Sequence, residues 1–205
     1  MSIARLLAAR LIGIVRLDDL EQTIVAAGAA VEAGLEVIEV TFTLPTAARA
    51  IDRLRCAYPA ACVGAGTVRT LADLDEAAES GAQFLIAPGL NLELLAAAQR
   101  LGLPFIPGVF TASEVDLGLR AGAELLKVFP AEPLGPPYIS ALLQPFPQAR
   151  LMPTGGVTIG NAAAYLSAGA VAIAIGSSLF PARRIAAEGP EIVRPLVEAA
   201  LAVLQ

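Results

Sequence analysis

A helix-stop glycine followed at once by an apolar strand recurs five times along the chain. It occurs as Ala33-Gly34-Leu35 before EVIEV, Ser80-Gly81-Ala82 before QFLIA, Leu101-Gly102-Leu103 before PFIPG, Ala121-Gly122-Ala123 before ELLKV and Ala168-Gly169-Ala170 before VAIAI. Glycine supplies the left-handed residue that ends a helix, so each copy predicts a short helix-to-strand loop. Neighbouring copies lie 20 or 21 residues apart, or 47 where one unit lacks the glycine, which is the period of a βα unit.

Filling the gaps predicts eight strands, near 11–16, 36–42, 61–66, 83–87, 104–107, 124–129, 150–154 and 171–176. Between them lie alanine- and leucine-rich helical stretches at 19–33, 46–57, 70–80, 91–101, 111–121 and 158–168. A short helix near 2–10 opens the chain and another near 189–204 closes it. Thr70-x-x-Asp73 and Thr111-x-x-Glu114 are capping-box patterns that mark helix starts. Strands apolar throughout and alternating with helices predict a parallel sheet covered on its faces. Eight units in 205 residues favour an α/β fold of the (β/α)8 TIM-barrel type, with 1–205 as a single domain. A doubly wound open sheet is the alternative.

Composition narrows the function classes. The chain is 56% hydrophobic and 16% charged, against an ordinary charged share of ~25%, so part of its apolar surface is expected to meet other subunits. A net charge of −5 and scattered arginines leave no basic face for nucleic acid. There is no histidine and no CxxC, which removes the usual zinc sites and any histidine-based triad; no metal or cofactor is expected. Cys56 and Cys62 suit a reducing compartment. Arg5, Arg10 and Arg16 interrupt the apolar opening segment, and no apolar run of ~20 residues predicts a membrane span. The expectation is a cytoplasmic protein.

In βα barrels chemistry sits where strands end and βα loops begin. Those positions hold Arg16, Glu39 with Thr41, Gly66-Thr67, Pro88-Gly89, Pro107-Gly108, Lys127, Thr154-Gly155-Gly156 and Gly176-Ser177. Lys127 is the one lysine among 14 basic residues and is flanked by Leu125, Leu126, Val128 and Phe129. Desolvation there should free the amine as an imine-forming nucleophile, which arginine cannot replace. The alternative is a snorkelling or ion-paired lysine. Glu39 lies in an apolar strand, where a carboxylate is costly unless paired or functional. Strand alternation puts Val37, Glu39 and Thr41 on one face, and Leu125, Lys127 and Phe129 on one face of theirs. A general acid/base beside the lysine, or a plain salt bridge, both fit that placement. Gly155-Gly156 and Gly176-Ser177 follow strands seven and eight, where backbone N–H groups and a hydroxyl can hold phosphate. Arg16 can clamp a carboxylate or serve as a surface residue before Asp18-Asp19. Thr67 and Pro88 read as lining residues, with capping and turn geometry as their alternatives.

Seven motifs in order, IEVTFT (38–43), VGAGTV (63–68), IAPGL (86–90), IPGV (106–109), LKVFPAE (126–132), PTGGV (153–157) and IGSSL (175–179), resemble the 2-keto-3-deoxy-6-phosphogluconate (KDPG) / 4-hydroxy-2-oxoglutarate (KHG) aldolase family. The resemblance spans Ile12 to Phe180. It implies a metal-free class I aldolase, typically a homotrimer, that acts on small 2-keto acids and releases pyruvate and an aldehyde. By motif, Lys127 is the Schiff-base lysine and Glu39 the acid/base acting through water. Thr67, Pro88 and Thr154 line the pyruvyl site, while Gly155, Gly156, Gly176 and Ser177 hold phosphate. Some members carry arginine where this chain has Thr43; here Arg16 is expected to meet the substrate carboxylate instead. The phosphogalactonate epimer and KHG are alternative substrates. Outside this chemistry, the same features fit a phosphate-binding isomerase without an imine, or a sugar-phosphate sensor.

Overall fold

The computed structural model describes residues 3–204 and places the predicted apolar segments in nine short parallel strands. These are β1 (Leu11–Val15), β2 (Val37–Thr41), β3 (Cys62–Gly66), β4 (Leu85–Ile86), β5 (Phe105–Ile106), β6 (Gly108–Val109), β7 (Leu126–Val128), β8 (Leu151–Pro153) and β9 (Ile173–Ile175). They form a curled six-stranded sheet, β5-β4-β3-β2-β1-β9, and a three-stranded sheet, β6-β7-β8. The predicted strand at 104–107 becomes two pieces because Pro107, lacking an N–H, interrupts the ladder between β5 and β6. At the other junction, Val171 N donates to Leu151 O at 3.1 Å and Thr154 makes a single parallel bridge to Ala174.

Helices alternate with the strands: α1 (Ile3–Ala9), α2 (Leu20–Glu32), α3 (Ala47–Ala57), α4 (Leu71–Glu79), α5 (Leu92–Arg100), α6 (Ala112–Arg120), α7 (Gly135–Leu143), α8 (Ala162–Ser167), α9 (Ala182–Glu188) and α10 (Val193–Ala202). All five helix-stop glycines lie at φ between +67° and +103°, the left-handed region the repeat requires. Both capping boxes form, with Thr70 accepting from Asp73 N and Thr111 from Glu114 N. Ser2, placed in the predicted first helix, lies outside the described residues. The predicted closing helix at 189–204 starts later. Gly189 at φ +92° and Pro190 produce a 3-10 turn over Pro190–Ile192 before α10 begins. Helix α7 escapes sequence reading because Pro136 and Pro137 look like a loop, although proline is tolerated in a first helical turn.

Two clusters of buried side chains follow from strand alternation. One face of the strands packs against the helices in a large outer cluster. The other face, with Ile12, Ile14, Val37, Phe84, Ile86, Ile106, Leu125 and Met152, forms an inner cluster closed from below by Ile3 and Leu6 of α1. Phe84 fills the interior opposite Gly64, where an added Cβ would lie 2.6 Å from the ring. Continuing the same alternation one or two steps along each strand gives Arg16, Glu39, Thr41, Lys127 and Thr154. The inner face is therefore apolar at one end and polar at the other.

Gly64→Ala should overpack this cluster and cost about 1–3 kcal/mol. Urea unfolding would register the loss; wild-type stability in the variant would show that Phe84 has room to move.

Candidate active site

Lys127 enters the polar end of the inner face from the middle of β7. Its N–H donates to Pro107 O at 2.9 Å, and its strand neighbours are Gly108 on β6 and Met152 on β8. The side chain is only 3% exposed, and Nζ lies 4.9 Å from the centre of the Phe129 ring, two residues along the same face. Burial pushes the amine pKa below its ordinary 10.5. Glu39 opposes that shift and the nearby Arg16 charge adds to it.

Glu39 stands on β2, 1% exposed, with both carboxylate oxygens buried and lacking a hydrogen-bond partner among the described residues. Its carboxyl lies against Gly66, where any added Cβ would fall 1.7 Å from Oε1. Burial raises its pKa above 4.5, against the opposing pull of Lys127 and then Arg16. Both members of the pair are thus shifted by burial towards their neutral forms. A buried carboxyl without a hydrogen-bond partner among the described residues, within electrostatic reach of a buried amine, is an arrangement that can pass protons to a bound reactant.

Above Lys127 opens a cavity of about 250 Å³. Its polar wall is Arg16, Lys127, Thr154, Gly155, Gly156, Gly176 and Ser177, and its apolar wall includes Ile14, Phe129, Val157 and Phe180. Seven of the ten residues singled out by sequence therefore share one space. Topology explains how: β1 sits between β2 and β9, so Arg16 stands between Thr41–Thr43 and the Gly176-Ser177 loop. Asp19 does not hold Arg16; it accepts from Gln22 N and caps α2. Thr41 Oγ1 meets Thr43 Oγ1 at 2.8 Å.

Thr154 is buried, its N–H donating to Val128 O at 2.9 Å. Gly155 and Gly156 follow with φ of +83° and +77°, consecutive left-handed residues that no other amino acid adopts cheaply. They are also hemmed in: an added Cβ would lie 3.0 Å from Phe129 at Gly155 and 2.2 Å from Glu132 at Gly156. The loop after β7 is stitched to them by Ala131 N to Thr154 O and Glu132 N to Gly155 O.

Glu39 does not line the cavity but lies close enough to act on Lys127 electrostatically. Thr67 and Pro88 do not line it either. Thr67 sits half-buried at φ +60°, and Pro88 lines a separate cavity of about 200 Å³ with Val68, Gly89 and Leu90. The Pro88 carbonyl instead crosses Gly108, where an added Cβ would meet it at 2.2 Å, beside Lys127 in the ladder. Sequence reading missed Phe180 and Val157, which reach the cavity from irregular segments where alternation gives no signal. Phe129 is found where strand alternation predicts it, on the lysine's face. Among the described residues no three His, Cys, Asp or Glu side chains gather as a metal site.

The sequence profile described as "KDPG and KHG aldolase" matches residues 3–194. The Escherichia coli K12 protein "KHG/KDPG aldolase" is 43% identical over 164 residues, covering 80% of this chain and 77% of its own. The Treponema pallidum "2-dehydro-3-deoxy-phosphogluconate aldolase" is 38% identical over 179 residues, 87% of this chain and 85% of its own. The crystal structure of KDPG aldolase from Legionella pneumophila, with pyruvate captured at low pH as a covalent carbinolamine intermediate, superposes with a TM-score of 0.90. It is 33% identical and covers 98% of both chains.

The raised Glu39 pKa has a measurable consequence for stability. An unfolded glutamate ionises near 4.5, whereas folded Glu39 keeps its proton to higher pH. Between those values the folded state holds a proton that the unfolded chain has released. Stability therefore falls as pH rises through the window, by about 1.4 kcal/mol per pH unit. Glu39→Gln removes that loss, so urea unfolding from pH 4.5 upward should show the variant gaining on the wild type. Parallel pH profiles would mean that Glu39 titrates as an ordinary carboxyl.

Proposed function

The chain belongs to the KDPG and KHG aldolase family, and on that premise we propose that it is a class I aldolase whose Schiff base forms on Lys127. Its substrate in this reading is 2-keto-3-deoxy-6-phosphogluconate, cleaved to pyruvate and glyceraldehyde 3-phosphate. The observation that carries the proposal is the lone lysine, buried in the cavity wall and electrostatically coupled to Glu39, a buried carboxylate outside that wall with no hydrogen-bond partner among the described residues. The two sheets are read as one closed (β/α)8 barrel forming a single domain. Support comes from the Thr154–Ala174 bridge on one side and the single-residue break at Pro107 on the other.

The neutral amine of Lys127 adds to the C2 ketone, and loss of water from the carbinolamine leaves a protonated imine. Glu39, directly or through a water, takes the proton of the C4 hydroxyl. The C3–C4 bond breaks, its electron pair flows to C3 to give an enamine, and the aldehyde departs. Protonation at C3 and hydrolysis of the imine release pyruvate and restore the amine. Thr154 lines the pyruvyl end, joined by Thr67 and Pro88 if the β3 and β4 loops draw in over the bound keto acid. Arg16, one strand from the Thr43 position, meets the substrate carboxylate. The backbone around Gly155, Gly156, Gly176 and Ser177 receives the phosphate. The E. coli relative's name, "KHG/KDPG aldolase", favours a second activity on 4-hydroxy-2-oxoglutarate. We further place the enzyme in the cytoplasm as a homotrimer. Leu71, Leu92, Leu101, Leu117 and Leu134 are each between 40% and 53% exposed, apolar surface that subunit contact would cover.

Borohydride reduction with pyruvate, followed by peptide mass spectrometry, tests the mechanism. The expected result is a pyruvyl adduct on Lys127, with a trapping rate that levels off at a pH below 10.5. Lys127→Arg should lose about 10³-fold or more in kcat. Folded protein with no adduct in excess pyruvate would overturn the imine and favour the isomerase or sensor readings.

A further inference from the structure

The segment between β8 and α8 contains a side chain that the reaction does not use and that is tied to the cavity wall. Asn161 has both ends of its amide engaged. Its Oδ1 accepts from Thr158 N at 2.8 Å and its Nδ2 donates to Gly156 O at 2.9 Å. The partners have opposite polarity, so one orientation of the amide satisfies both. Its backbone N–H donates in turn to Thr158 Oγ1 at 3.3 Å. A second tether, Ile159 N to Ser178 Oγ at 3.4 Å, joins this loop to the one after β9.

The consequence lies in the next peptide unit. In a trans peptide the C=O of one residue and the N–H of the next point in opposite directions. With the Gly156 carbonyl drawn to Asn161, the N–H of Val157 is turned the other way. Gly156 and Val157 line the cavity and Asn161 does not. Among the described residues no protein group accepts from the Val157 N–H. At φ +77°, Gly156 can also rotate more freely than any other residue, so its peptide needs an external hold.

We propose that Asn161 is a positioning residue that locks the Gly156–Val157 peptide so that the Val157 N–H faces the phosphoryl end of the substrate. It thereby sets how strongly the enzyme prefers phosphorylated over unphosphorylated substrates. The inference rests on the phosphate reading of this loop. A free-swinging peptide would present its donor and its acceptor alternately, and the acceptor repels an anion.

The test compares steady-state kinetics on 2-keto-3-deoxy-6-phosphogluconate and 4-hydroxy-2-oxoglutarate for wild type, Asn161→Leu and Asn161→Asp. Asn161→Leu removes both amide contacts without adding charge. Asn161→Asp keeps the acceptor for Thr158 N and loses only the donor to Gly156 O, so it covers the case in which the leucine variant does not fold. Either variant should raise KM for the phosphorylated substrate about 5- to 10-fold more than for the other, with kcat on both substrates moving less than about 2-fold. The aspartate effect should survive high salt, which would screen simple repulsion. Equal rises in KM for both substrates, a fall in kcat on both, or a wild-type KM ratio would overturn the inference and leave Asn161 as a turn residue. A wild type with no preference for the phosphorylated substrate is a separate failure, of the phosphate reading itself, and removes the inference with it.

Discussion

Burial of one amine beside one carboxyl, in the same low-dielectric pocket, is the constraint around which the polar end of this molecule is arranged. For both Lys127 and Glu39, loss of water outweighs their mutual attraction. A well-made salt bridge would reverse the balance, holding the lysine charged and useless as a nucleophile. The absence of a hydrogen-bond partner on either Glu39 oxygen, among the described residues, is consistent with a looser pairing. An unpaired buried carboxyl is costly to the fold. Such a cost persists where the surrounding structure is stable enough to absorb it, and the two apolar clusters are that structure.

The inner cluster contributes more than stability. Its apolar side chains exclude water from beneath Lys127, and its registry determines what appears above. Each strand carries the same alternation from the closed apolar end to the open polar one, so the position of the lysine is set by the same packing that fixes Leu125. Small residues then make room where side chains and loops must cross. Gly64 admits Phe84, Gly66 admits the Glu39 carboxyl, and Gly108 lets the Pro88 loop pass beside Lys127. None of these glycines touches a reactant in the proposed mechanism, yet each fixes the placement of a group that does or of the interior beneath it.

A second layer of control lies in backbone orientation. The cavity wall includes Gly155, Gly156 and Gly176, which offer only backbone, and a peptide group presents either a donor or an acceptor depending on its rotation. The loops after β7, β8 and β9 are cross-linked by Ala131 N to Thr154 O, Glu132 N to Gly155 O and Ile159 N to Ser178 Oγ. Tyr165, fully buried on α8, also donates to Ala131 O at 3.2 Å. Residues with no chemistry of their own thus hold the loops to which the proposed mechanism assigns recognition.

Local and periodic features were legible in the sequence. The five helix-stop glycines, the two capping boxes and the strand positions follow from backbone sterics and short-range hydrogen bonding, which a sequence encodes directly. Lys127 and Glu39 were legible too, since a charge within an apolar strand is conspicuous wherever that strand lies. The break at Pro107, the proline-led helix α7 and the late start of α10 were less so, because proline has different consequences in a ladder and in a first helical turn. Which strand ends share a cavity was decided by tertiary structure alone. Arg16 joins the Gly176 loop because β9, distant in sequence, pairs with β1. Thr67 and Pro88 occupy equivalent strand-end positions and stay outside that cavity, because loop path rather than strand register governs the last few ångströms. The sequence by itself determined most of the elements and the two ionisable groups at the centre; the pairing of remote strands and the course of the loops between them decided the shape of the site.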